Sequence, residues 1–117
     1  MDLSRKSPAY WLKALRKADH PDEKGTALYK LYSLHYPGLP RILEEIYRSS
    51  RSAMLRLQVF HLLQHYNDER FGEMLKQSVY DPYEFIRRNS VHAMGRSGSD
   101  EYIPYVASIW LNDYLDE

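Results

Sequence analysis

The chain has 117 residues, and its sixteen Lys+Arg offset sixteen Asp+Glu, so it carries no formal net charge with histidines neutral. One domain's worth of sequence is expected at this length, and the charge balance disfavours a uniformly basic nucleic-acid binder or an acidic tail. There is no cysteine, which excludes disulfide frameworks, thiolate zinc sites and cysteine nucleophiles together.

Apolar residues make up 44% of the chain, enough for a core. No apolar run approaches the ~18 residues of a membrane span, and Met1–Tyr10 is too polar for a signal peptide. A soluble, cytoplasmic protein without membrane contact is the expectation, although a lack of cysteine fits cytosol and periplasm alike. Five glycines are few for a turn-dense β fold, and the apolar residues follow the helical period rather than alternation.

In chain order, Ser7-Pro8 starts a helix over about 8–18. His20-Pro21-Asp22 starts a second to about His35, and Pro37-Gly38-Leu39-Pro40 separates it from a third ending at Tyr47. Ser49 or Ser50 caps a fourth to about His65, and an Asn67-Asp68 turn leads to a fifth ending at Val79. Asp81 is the expected N-cap of the sixth, with Pro82 in its first turn, because that pairing satisfies orphan N–H groups and pre-sets φ. This helix is expected to reach Met94 and to break at Gly95-Arg-Ser-Gly98. Ser99 or Asp100 then caps a last helix ending near Trp110.

A slide of 32 residues superimposes chemical types without a gap between the later segments. Arg56 falls on Arg88, Val59 on Val91, Leu62 on Met94 and Asp68 on Asp100; Met74 falls on Val106 and Leu75 on Ala107. Earlier, Leu39, Ile42, Leu43 and Tyr47 fall on Phe71, Met74, Leu75 and Val79, whereas Gly25–Tyr36 needs a one-residue shift. Helix pairs of this length cannot enclose a core alone, so neighbours must stack. The expected units cover about 19–48, 49–80 and 81–112.

The stretch Asp81-Pro-Tyr-Glu-Phe-Ile-Arg-Arg-Asn-Ser-Val-His-Ala-Met-Gly, followed by Asp100 and Ile103, resembles the HEAT-like repeat family. The middle unit keeps Leu55-Arg56 and Asp68 but has Leu63 in place of the glycine, and the first unit lacks the arginine. The resemblance implies an all-α fold: a short right-handed α-solenoid of about three HEAT-like helix pairs plus the N-terminal helix. First helices would line its convex side and second helices its concave side.

Arg56 and Arg88 share one position near the expected caps, and an arginine fork bonding the next unit's turn would stitch neighbours together, with Asp81 as capping partner. A phosphate-binding arginine row is the functional rival. His61 and His65 have the i, i+4 spacing of metal-binding helices, but no Cys, Asp or Glu joins them in sequence, so no metal or cofactor is assigned. His92 is expected as a partly buried filler; His20 and His35 lie near turns. No Gly-x-Ser-x-Gly or phosphate-cradling loop is present. Glu44-Glu45 and Asp116-Glu117 read as solvated faces, and no catalytic residue is assigned.

The remaining positions of the second helices form rungs: Arg41, Glu73 and Tyr105; Glu44, Lys76 and Ser108; Glu45, Gln77 and Ile109; Arg48, Tyr80 and Asn112. Mixed charge with Tyr and Arg suits a protein surface. The expected function is therefore a non-enzymatic interaction or scaffold module binding a protein or peptide on the concave face. Two rivals rest on the same resemblance. One is a nucleic-acid binder related to HEAT-like alkylpurine DNA glycosylases, with Trp110, Asp113, Arg87 and Arg88 as its cue; the zero net charge makes nucleic acid the less favoured partner. The other is an accessory or lyase-type HEAT-like factor. Ile109, Trp110, Leu111, Tyr114 and Leu115 are apolar, so either the tail folds back over them or another chain covers them, a homo-oligomer through the Trp110 region being one form of the second.

Overall fold

A computed structural model of the protein describes residues 6–66 and 69–115, with the backbone alone at 112–115. The Asn67-Asp68 turn, Asp116-Glu117 and the side chains of Asp113, Tyr114 and Leu115 lie outside the described residues. Among the described residues the chain is all helical, with no strand. The helices are α1 (Pro8–Lys17), α2 (Pro21–Ser33), α3 (Leu39–Ser49), α4 (Ala53–Gln64), α5 (Glu69–Ser78), α6 (Glu84–Ser97) and α7 (Ile103–Leu115), with a 3-10 turn (Asp100–Tyr102) leading into α7. They fall into two compact units, α1–α4 and α5–α7.

In the first unit, prolines sit in the opening turns of α1, α2 and α3, where a missing N–H loses no helical bond. Ser7 caps α1 by accepting from the Tyr10 N–H. His20 caps α2 through Nδ1, which accepts from the Asp22 N–H at 3.1 Å. The Ser52 hydroxyl caps α4, accepting from Leu55 N–H. Neither serine expected there caps it: Ser49 is the last residue of α3, and Ser50, its C-cap, accepts from the Ser52 N–H. Helix α2 ends at His35 with φ of 55°. Its N–H donates to the Tyr32 carbonyl, and that of Tyr36 to Leu31, the paired bonds of a Schellman stop. Helix α2 packs on α1, α3 and α4, and α3 packs on α4. Leu28, Leu31, Leu39, Leu43, Val59 and Leu63 are fully buried between them, each worth about 1.5–3 kcal/mol against exposure.

In the second unit α6 packs on α5 and α7. Asp81 is not the N-cap of α6. The helix starts two residues later, with Tyr83 at its N-cap. Asp81 Oδ1 instead accepts from the Tyr83 N–H at 2.9 Å, a local turn around Pro82. Nor does Gly95 end α6. The helix runs through it and stops at Gly98, whose φ of 68° is the left-handed conformation a stop of this kind requires. Ser78 and Ser90, both fully buried, bond to one another and to the carbonyls of Leu75 and Ile86.

The buried positions of α4 recur in α6: Leu55, Val59, Leu62 and Leu63 correspond to Ile86, Ser90, Ala93 and Met94, each 31 residues on. The expected spacing there is 32. Conversely Ala27, Leu28 and Leu31 of α2 match Val59, Phe60 and Leu63 at 32 with no shift. The one-residue discrepancy therefore falls between the later segments, not the earlier ones.

Candidate functional site

An apolar opening of the second unit lies between the end of α6 and α7, a groove of about 650 Å³. Its wall of Met94, Val106 and Ala107 carries Ile103 and Trp110 on the rim, with Gly95 on the α6 side. Ile103 is 62% exposed, Trp110 65% and Leu111 51%. Of the residues lining it, Asp100 alone is charged. The helical period places these apolar residues on a side of α7 that α6 covers only in part; among the described side chains of α7, Ile109 is the buried one. No known protein family, curated protein or solved structure matches the chain.

The expected second-helix residues distribute as follows. On α3, Arg41 Nε meets Glu45 Oε1 at 3.3 Å, and Arg48 meets Glu44 at 3.1 Å. These are i, i+4 pairs along one helix, and such exposed pairs contribute a few tenths of a kcal/mol, roughly 0.3–0.5. On α5, Lys76 lies 3.5 Å from Glu73 and 3.2 Å from Glu101, so it ties the helix to the 3-10 turn. The Glu101 hydrogen bond, then the charges of Glu101 and Glu73, raise the Lys76 pKa above its ordinary 10.5. Tyr102 beside it is raised above 10.0, first by burial and then by Glu101. Its hydroxyl lies 3.2 Å from where a Cβ on Gly72 would stand, so a larger residue there would push the hydroxyl aside by a few tenths of an ångström. Gln77 and Tyr80 are exposed; Tyr105 and Ser108 are half-buried.

Arg56 and Arg88 do not share one role. Arg56 donates to the carbonyl of Ser50, six residues back, in its own entry turn. The equivalent donor in α6 is Arg87, which reaches the carbonyls of Asp81 at 2.8 Å and Pro82 at 3.0 Å. Arg88 forms an exposed pair with Glu84 at 2.7 Å. The reason is the 31-residue spacing: a slide of 32 selects the wrong member of the Arg87-Arg88 pair.

His61 stacks edge-on against Phe60, and His65 lies against Tyr32. Among the described residues no three His, Cys, Asp or Glu gather to hold a metal. His92 is exposed rather than a partly buried filler. His20 and His35 are the informative histidines, one a cap and the other a left-handed stop; only the adjacent Pro21 signals either in sequence. No described helix is long and apolar enough to cross a membrane.

Proposed function

We propose that the chain is a non-enzymatic protein-interaction module built as a short right-handed α-solenoid of HEAT-like helix pairs. The observation that carries this reading is the apolar α6–α7 groove, with Ile103, Trp110 and Leu111 standing in solvent. Aromatic and aliphatic side chains around a concave apolar surface supply most binding energy at protein interfaces. The recurrence of buried positions at 31 and 32 residues supports the repeat reading.

The polar faces of the second helices then serve recognition rather than raw affinity: Arg41, Glu44, Glu45 and Arg48 on α3, Glu73, Lys76, Gln77 and Tyr80 near α5, and Tyr105 and Ser108 on α7. Charges paired along their own helix steer and orient a partner while adding little net affinity.

Affinity capture from the native lysate tests this with three baits: wild type, Arg41→Ala/Lys76→Ala/Tyr105→Ala, and Ile103→Gln/Trp110→Gln. The reading predicts a protein held by wild type and lost by a variant whose melting temperature has not fallen. An identical set of captured proteins on all three baits would contradict it.

A further inference from the structure

The first unit carries a groove of its own between α1 and α3, of about 440 Å³. Leu12 and Leu15 of α1 and Ile42 and Ile46 of α3 form its wall, each half-buried. No aromatic ring lines it, and its polar side chains are the charged ones of the rim, Arg16, Lys24 and Glu45. Such a wall suits a saturated chain. An extended peptide laid along it would set backbone N–H and C=O groups against four aliphatic side chains, a cost that an alkyl chain does not incur. The volume falls in the range of small-ligand sites, roughly 300–1,000 Å³.

The rim is charged unequally. Arg16 lies in the last turn of α1 and Lys24 in the opening turns of α2, so the short connection Ala18–His20 brings both cations to the same end of α1. Glu45, on the α3 side, is held by Arg41 at 3.3 Å. No carboxylate holds the cations. Arg16 makes one bond, from Nε to the Leu12 carbonyl at 3.4 Å, which leaves both terminal nitrogens of its fork unused. Lys24 is half-buried, yet among the described residues its ammonium has no ion pair and no hydrogen bond. Arg41, Arg48, Lys76 and Arg88, by contrast, each meet a carboxylate. Helix α1 adds Lys13 and Lys17 and contains no acidic residue, so nothing on it opposes an anion. A half-buried ammonium against aliphatic surface and a free guanidinium beside it together favour a carboxylate.

We infer that this groove binds a fatty carboxylate, its alkyl chain along Leu12, Leu15, Ile42 and Ile46 and its head between the Lys24 ammonium and the Arg16 guanidinium. The site lies within the first unit and stands or falls independently of the α6–α7 groove.

The test is a titration of the full chain, read by amide and methyl NMR shifts, with decanoate, decan-1-ol and decyltrimethylammonium, each below its micellar concentration. Decanoate should move Leu12, Leu15, Lys24, Ile42 and Ile46 saturably, with affinity about tenfold above that of the alcohol or the cation, the effect of one charge-assisted bond. Arg16→Gln/Lys24→Gln breaks no ion pair, so it should keep the melting temperature, lose the tenfold preference and bind the alcohol as before. Arg16→Glu/Lys24→Glu should prefer the decyl cation to decanoate.

No saturable shift with decanoate overturns the inference, as does decanoate binding that equals that of the alcohol or survives undiminished in Arg16→Gln/Lys24→Gln. Shifts spread evenly over this groove and Ile103, Trp110 and Leu111 would mark detergent-like binding and overturn it too. A Leu/Glu peptide, or vesicles of phosphatidylglycerol, moving the four aliphatic residues where decanoate does not would identify the occupant as a polypeptide or a membrane surface and overturn the fatty carboxylate.

Discussion

Gly95 and Gly98, three residues apart, carry opposite demands. Gly98 holds a positive φ at the end of α6, where a Cβ is strained by about 1–2 kcal/mol, so Gly98→Ala should lower stability by that order. Gly95 has ordinary helical backbone and open space, so Gly95→Ala should raise it by about 0.5–1 kcal/mol. His35 adopts the same left-handed conformation as Gly98 with a side chain attached, and His35→Gly should gain roughly 0.5–1 kcal/mol. Denaturant midpoints at constant slope check all three. The raised pKa values of Lys76 and Tyr102 also carry a sign. A group whose folded pKa is raised contributes stability fully present below its unfolded value and lost as pH rises through the folded one. Ordinary values of 10.5 and 10.0 place that loss in the alkaline range. The melting temperature should not respond to these groups near neutrality and should fall above about pH 10, less steeply in Lys76→Gln. A fall beginning near neutrality that Lys76→Gln removes would contradict the assignment.

At the scale of the element, the two arginines of α6 separate structure from decoration. Arg87 holds two carbonyls of the turn before the helix, and charged hydrogen bonds of this kind contribute about 1.5–3 kcal/mol. Arg88 makes one exposed pair with Glu84, worth less than about 1 kcal/mol. Chemical denaturation should therefore find Arg87→Ala clearly destabilising and Arg88→Ala nearly neutral; the reverse order would refute the equivalence of Arg87 with Arg56. The existence of each helix was legible in the sequence because apolar period, Pro and Ser/Asp signals coincide. The boundaries around Asp81-Pro82 and Gly95–Gly98 were not, because two competent signals stand side by side. In the first, Asp81 bonds within the turn and the helix starts after it; in the second, only the glycine at positive φ can stop the helix. Ser50 and Ser52 pose the same ambiguity, and the geometry of the turn, absent from the sequence, selects Ser52 for α4. Of the candidate site, Trp110 and its apolar neighbours were legible as a stretch near the terminus. Their enclosure with Met94 and Gly95 was not, since it depends on α6 continuing past Gly95.

At the scale of the whole molecule, the account turns on exposed apolar side chains on α7 serving another molecule rather than this chain's core. Core residues such as Leu63 or Met94 truncate at a cost of about 2–5 kcal/mol, whereas surface substitutions stay within about 0.5 kcal/mol. Thermal unfolding of the triple variant Ile103→Gln/Trp110→Gln/Leu111→Gln is the most direct measurement, because glutamine keeps the helix propensity and removes only the apolar surface. The account predicts a melting temperature equal to or above that of the wild type. A loss of ten degrees or so, the mark of about 2 kcal/mol in a domain of this size, would place these side chains in the core of the fold and contradict the groove as a binding surface.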